Sequence, residues 1–235
     1  MNGIIFYEGQ SLIDKSPIVM IGILLSKNKK TGNIIQTFII KSDKKPTEAI
    51  KDKSDISICG DCKHRGRSCY VNVGQAPNNV YQAYRKRKYE LYDPKLHDKI
   101  LKNRKIRFGS YGDPTAVPLE IWENLFKLSY KHTGYTHNWK NNPEYKNFLM
   151  ASVDSEKEFL EAKKLGWRTF RVRSENDKLL KNEFQCPASK EESERLICES
   201  CMACNGGNNK SNVSIIVHGP KFKIQKWTQI TSSVS

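Results

Sequence analysis

The chain has 235 residues, 37% of them hydrophobic and 10% aromatic, enough for a core in one large domain or two small ones and too much for a disordered chain. Its 40 Lys and Arg outnumber 25 Asp and Glu, and the formal charge of +15 favours polyanionic partners such as nucleic acid or nucleotides, unless it serves only solubility. The longest apolar run, Ile18 to Leu25, is broken by Gly22 and too short to cross a bilayer. Residues 1–10 carry no Lys or Arg ahead of their apolar stretch, so no membrane partner is expected and a cytoplasm is the expected location.

Two apolar, β-branched runs, 18–26 and 34–41, flank a polar turn at 27–33 and read as a hairpin or two edge strands. Residues 41–57 are charged, contain Pro46 and read as a loop. A helix is expected over 78–91, with Asn78 or Asn79 as its cap and Arg85, Lys86, Arg87 and Lys88 on its outer face. That basic run reads as a solvated face or as a phosphate-contacting patch. Lys105 to Gly109 reads as a strand, followed by Ser110-Tyr111-Gly112-Asp113-Pro114 and a helix from Pro118 to Lys131 that Gly134 ends. Tyr135–Trp139 and Phe148–Val153 read as strands. Ser155 and Glu158 form a capping-box pair that opens a helix to Leu165, and Trp167–Arg173 is the next strand. A second such pair, Ser189 and Glu192, opens a short helix, and Val213–Val217 is a late strand. Strands alternating with helices of about a dozen residues predict a parallel α/β fold.

Seven cysteines fall in two groups. An odd, clustered set in a reducing compartment points to metal rather than to a disulfide framework. The later group is Cys186-Pro187 with Cys198-Glu-Ser-Cys201-Met-Ala-Cys204. Three cysteines at this spacing can wrap one face of an iron–sulfur cube while a fourth arrives from elsewhere, which favours a [4Fe–4S] cluster over a four-thiolate zinc site. The earlier group is Cys59, Cys62 and Cys69. With zinc, His64 would be the fourth ligand, though His64 reads equally as a surface residue. With an iron–sulfur cluster, three thiolates leave one iron open to a ligand. A single cluster shared by both groups is a third arrangement.

In this order the motifs resemble those of the radical S-adenosylmethionine superfamily and, within it, a small phage family called gene product eighty-eight. The resemblance covers about residues 59–218: Cys69-Tyr70, then Gly112-Asp113-Pro114-Thr115 after a strand, then Ser152-Val153-Asp154-Ser155 at a later strand end, then Cys-Pro and the closing three-cysteine run. The first group departs from the superfamily's usual Cys-x-x-x-Cys-x-x-Cys, Asp113 stands where Glu is usual, and Tyr111 stands where a glycine is usual. The resemblance implies a partial (β/α) barrel with cysteine-rich loops. It implies one cluster at Cys59, Cys62 and Cys69 that can take S-adenosylmethionine, and a second, fully ligated one at Cys186, Cys198, Cys201 and Cys204. Gly112, Asp113, Pro114, Ser152 and Asp154 would help place the ligand. The implied protein is a phage-encoded enzyme of the host cytoplasm, or a descendant that has lost the reaction, with a nucleotide-related substrate. The competing expectation is a non-enzymatic zinc protein that binds nucleic acid. The expected segments are 1–57 (strands and linker), 58–218 (metal-binding domain) and 219–235 (tail).

Overall fold

The computed structural model describes residues 2–26, 28–207 and 211–232. Lys27 of the first turn and residues 233–235 of the tail lie outside that set.

Among the described residues ten strands form one sheet: β1 (Gly3–Gln10), β2 (Pro17–Ile23), β3 (Ile35–Lys41), β4 (Glu90–Leu91), β5 (Lys105–Tyr111), β6 (Lys131–Thr136), β7 (Met150–Val153), β8 (Thr169–Arg173), β9 (Glu183–Gln185) and β10 (Asn212–Ile216). Their order is β4-β1-β2-β3-β5-β6-β7-β8-β10-β9. β1, β2 and β3 pair antiparallel, and from β3 to β9 every neighbouring pair is parallel. The fold is therefore α/β with a mostly parallel sheet. The sheet is open, with the short strands β4 and β9 at its two edges. Strands from 1–57 thus belong to the same sheet as those of 58–218.

Among the described residues the α-helices are α1 (Pro46–Lys51), α2 (Ile56–Cys59), α3 (Ala76–Arg85), α4 (Pro94–Leu101), α5 (Leu119–Leu128), α6 (Glu156–Lys164), α7 (Cys198–Cys201) and α8 (Lys221–Ser232). The sheet's apolar residues, among them Ile4, Ile21, Ile35, Ile39, Ile106, Phe108 and Val153, join one core with Trp122, Tyr145 and Trp167.

The expected hairpin is present as β2 and β3, with Ile18 opposite Lys41 and Ile23 opposite Gln36. The expected loop at 41–57 instead holds α1 and α2, because Pro46 suits a first helical turn. Helix 78–91 is displaced to 76–85: Pro77 sits in its first turn and Gln75 precedes it, so neither Asn78 nor Asn79 caps it. The basic run consequently leaves the helix at Lys86 and turns at Arg87 (φ 52°) instead of covering a helical face. The helix expected over 118–131 stops at Leu128, and the strand expected at Tyr135 begins four residues earlier, at Lys131. Gly134, read as a helix stop, lies inside β6. A Cβ there would stand 2.6 Å from Leu149 Cδ2 and 2.9 Å from Phe108 Cβ, so close packing demands the glycine. The Ser155 cap is present, its hydroxyl accepting from Glu158 N at 3.1 Å. At Ser189 the chain makes only a 3₁₀ turn with no side-chain cap bond.

Two features aim the cysteines. Gly112 follows β5 and leads to Asp113, at φ 80°, and an added Cβ would lie 2.7 Å from Ile39 Cβ and 2.8 Å from Ile39 O. Gly112→Ala combines left-handed strain with a backbone clash and should cost about 2–4 kcal/mol. A thermal melt should fall by roughly 5–15 °C, and an unchanged melt would show that the turn relaxes freely. At the far edge, Arg171 on β8 grips Glu183 on β9 with two bonds, 2.8 and 2.7 Å, in a buried pair. This fixes β9 and so the start of the segment that carries Cys186.

Candidate functional site

A cavity of about 430 Å³ lies against one face of the sheet, and all seven cysteines line it. Alternate strand residues form its wall: Arg107 and Tyr111 on β5, Thr133 and Tyr135 on β6, Ser152 on β7, Phe170 and Val172 on β8, Val213 and Ile215 on β10. Side chains two apart on a strand share a face, so the parallel strands build this wall directly.

Cys59, Cys62 and Cys69 gather at the C-terminal ends of the strands. Cys59 ends α2, which is tied to the end of β5 by Asp113 N donating to Ile58 O at 2.6 Å. The following loop is held by His64, whose Nε2 stands 2.7 Å from Asp154 Oδ2 and whose Nδ1 stands 2.6 Å from Ser68 Oγ. Asp154, just past β7, also meets Lys63 Nζ at 3.1 Å and accepts from Trp227 Nε1 at 3.1 Å. Trp227 lies on α8, and Lys223 of the same helix donates to Cys69 O at 2.5 Å. Part of the segment first read as a tail is thus a helix that clasps the cysteine loop.

Cys198, Cys201 and Cys204 approach from the other end of the strands. Cys198 N donates to Lys30 O (3.1 Å) and Glu199 N to Thr31 O (3.0 Å), both ahead of β3. Lys105 Nζ, at the start of β5, donates to Glu199 O at 2.6 Å. Gly134 N donates to Cys204 O at 2.9 Å. Arg168 fastens the outgoing chain through Ala203 O (3.0 Å), Asn205 Oδ1 (2.6 Å) and Gly206 O (2.8 Å). Cys186 N donates to Ser214 O at 2.7 Å, which holds the fourth thiol to β10.

Within each group the thiols feel one another: Cys59 is influenced by Cys62 and Cys69, and Cys204 by Cys186, Cys198 and Cys201. Burial pushes the Cys59 thiol well up and the Cys204 thiol up to about 12. Cys62 goes the other way. Burial raises it, but the adjoining His137 ring outweighs this and holds the thiol below its ordinary value. Burial alone would lower His137, and the Cys62 charge raises it to about 9. No cysteine is paired in a disulfide. Among the described residues, no three of Cys, His, Asp and Glu stand as a ready-made site for a single metal ion.

Of the residues expected to place a ligand, Gly112, Asp113, Ser152 and Asp154 line the cavity and Pro114 does not. Pro114 is buried, and its carbonyl accepts from Trp122 Nε1 at 2.9 Å. The Asp113 carboxylate accepts from Thr115 N (3.1 Å), Thr115 Oγ1 (2.8 Å), Thr136 Oγ1 (2.8 Å) and His137 N (2.9 Å), so it mainly ties the ends of β5 and β6 together. His64 is 7% exposed with both ring nitrogens engaged, which makes it neither a surface histidine nor a free fourth ligand. Sequence reasoning missed Arg107, Tyr111 as a cavity residue, His137, Trp227 and Lys30. A correct start for β6 would have exposed His137 as a residue just beyond a strand end. Among the described residues no helix is long and apolar enough to cross a membrane. Compared with known families, curated proteins and solved structures, the chain finds no match.

Proposed function

We propose that this chain is an iron–sulfur protein of the radical S-adenosylmethionine type, with an open-iron cluster at Cys59, Cys62 and Cys69 and a fully ligated one at Cys186, Cys198, Cys201 and Cys204. The observation that carries it is that all seven thiols line one cavity in two separate groups. The donor set suits the cofactor: cysteine thiolates are the usual ligands of iron–sulfur clusters, and a cluster wider than one ion asks the sulfurs to ring it rather than meet at a point. A parallel wall with the three-thiol group at the C-terminal strand ends also supports a barrel-like ancestry.

When bound, the open cluster would supply one-electron reduction of a ligand on its free iron. The chain's own residues would do the rest. His64 and Asp154 hold the cysteine loop at a fixed height. Ser152 faces the space beside them. The apolar wall keeps water from the reacting region. Exposed Lys86, Arg87 and Lys88 support an acidic partner outside the cavity, such as nucleic acid.

The zinc reading keeps four thiolates at the second group. At the first it must free His64 from Asp154 or Ser68, and that engagement argues against it. Anaerobic purification decides between the two. The expected result is a brown protein with about eight iron atoms and matching sulfide per chain. A colourless protein with about two zinc ions would overturn the proposal.

A further inference from the structure

Three acids line the cavity, and each is already engaged: Asp55 with Arg65 (2.6 Å), Asp113 with its four donors, and Asp154 with His64, Lys63 and Trp227. The cations are not balanced in the same way. Arg107 forms no ion pair among the described residues. Its Nη2 donates to Tyr70 Oη at 2.5 Å, its guanidinium lies 5.7 Å from the Tyr135 ring centre, and its Nε is buried without a partner. Lys30 lines the same cavity, and among the described residues its side chain has one hydrogen-bond partner, His218 Nε2 at 3.4 Å. Tyr111, 4% exposed and four residues along β5 from Arg107, presents a buried hydroxyl that also lacks a partner. A half-buried cation without an ion pair, with its Nε buried and unpartnered, and an orphan buried hydroxyl are both costly, and two on one cavity wall point to a ligand that completes them.

We infer that the cavity takes a small molecule whose carboxylate or phosphate sits on Arg107, with a further polar atom of the same molecule meeting Tyr111. Tyr135, Phe170, Val172, Val213 and Ile215 offer an apolar wall for the rest of the ligand. Arg107 stands between the two cysteine groups: Tyr70 follows Cys69 in sequence, and Cys198 and Cys204 lie within its electrostatic reach. The anionic group would therefore be held where both groups face the same molecule. This adds a substrate class to the function proposed above, but its test does not depend on iron.

Inorganic phosphate and benzoate, titrated separately by calorimetry into the purified protein, provide the probes. At least one should bind saturably, and whichever does identifies the oxyanion. Arg107→Met keeps the apolar stem and should weaken that binding ten- to a hundred-fold, while Arg107→Lys should recover part of it. Tyr111→Phe deletes only an unsatisfied hydroxyl, should fold as the parent does, and should weaken a ligand that reaches it several-fold. No saturable binding of either probe to the parent would overturn the assignment. So would equal binding by parent, Arg107→Met and Tyr111→Phe. If Arg107→Met shifted a cluster's reduction potential while leaving anion binding unchanged, Arg107 would be a counter-charge for the four-thiol group, and the ligand assignment would fall. Loss of iron with anion binding retained would instead sink only the iron–sulfur reading.

Discussion

On the proposed two-cluster assignment, Cys69→Ala should leave a protein that keeps about half its iron and no longer binds S-adenosylmethionine, while Cys204→Ala should lose the other half and keep that binding. The asymmetry follows from where the two residues stand. Cys69 closes the three-thiol group, and its carbonyl is held by Lys223 of α8, so removing its thiol empties that group without touching the loop on the far side of the cavity. Cys204 belongs to the four-thiol group, and its segment is anchored to β6 and to Arg168 instead. Iron and sulfide analysis of the two variants, with calorimetric titration of S-adenosylmethionine, reads both effects. The arrangement with one cluster shared between the groups makes a different prediction: either change would then empty the whole cavity. Complete loss of iron in both variants would therefore overturn the two-cluster assignment, and unchanged S-adenosylmethionine binding in Cys69→Ala would overturn the open-iron role.

The alternation of strands and helices was legible in the sequence because strand runs such as Ile35–Lys41 and the capping pair at Ser155 and Glu158 carry their signals locally. The grouping of the cysteines was legible for the same reason. What was not legible depends on which face of a strand meets what. In Lys105-Ile106-Arg107-Phe108, Ile106 and Phe108 point into the core, so Arg107 reads as a solvent-facing residue. Because the cysteine segments line that second face as well, Arg107 borders a cavity instead. His64 misled in a similar way. Flanked by Lys63 and Arg65 it looks exposed, yet its partner Asp154 is 90 residues away in sequence. Whether the sheet closes was equally out of reach, since the edges are strands of two and three residues whose pairing no local pattern specifies.

Asp154→Asn should destabilise the protein by about 3–5 kcal/mol at pH 7, because it breaks a buried charge cluster by removing one sign. The melt should fall by roughly 10 °C. Asp154 is 5% exposed, and its carboxylate receives His64, Lys63 and the Trp227 indole together. Burial would raise its pKa, but the His64 bond and charge, with Lys63 and His137 behind them, outweigh burial and hold the carboxyl far below the usual range. The sign of the pH dependence follows. An unfolded aspartate titrates near about 3.9, so a depressed folded value stabilises the native state fully above about pH 5. That contribution drains away as pH falls below the unfolded value toward the folded one. Parent and variant should differ most at neutral pH and by measurably less in acid, the gap narrowing by about a third between pH 7 and pH 3 and closing only below that, measured by urea unfolding. A gap that stays constant across that range would show that Asp154 acts through shape alone. Asparagine also cannot form the ion pair with Lys63 and offers His64 one neutral acceptor in place of a carboxylate, so the loop from Cys62 to Cys69 should loosen. Iron content at the three-thiol group should then drop while the four-thiol group, tied to the opposite end of the strands, stays filled.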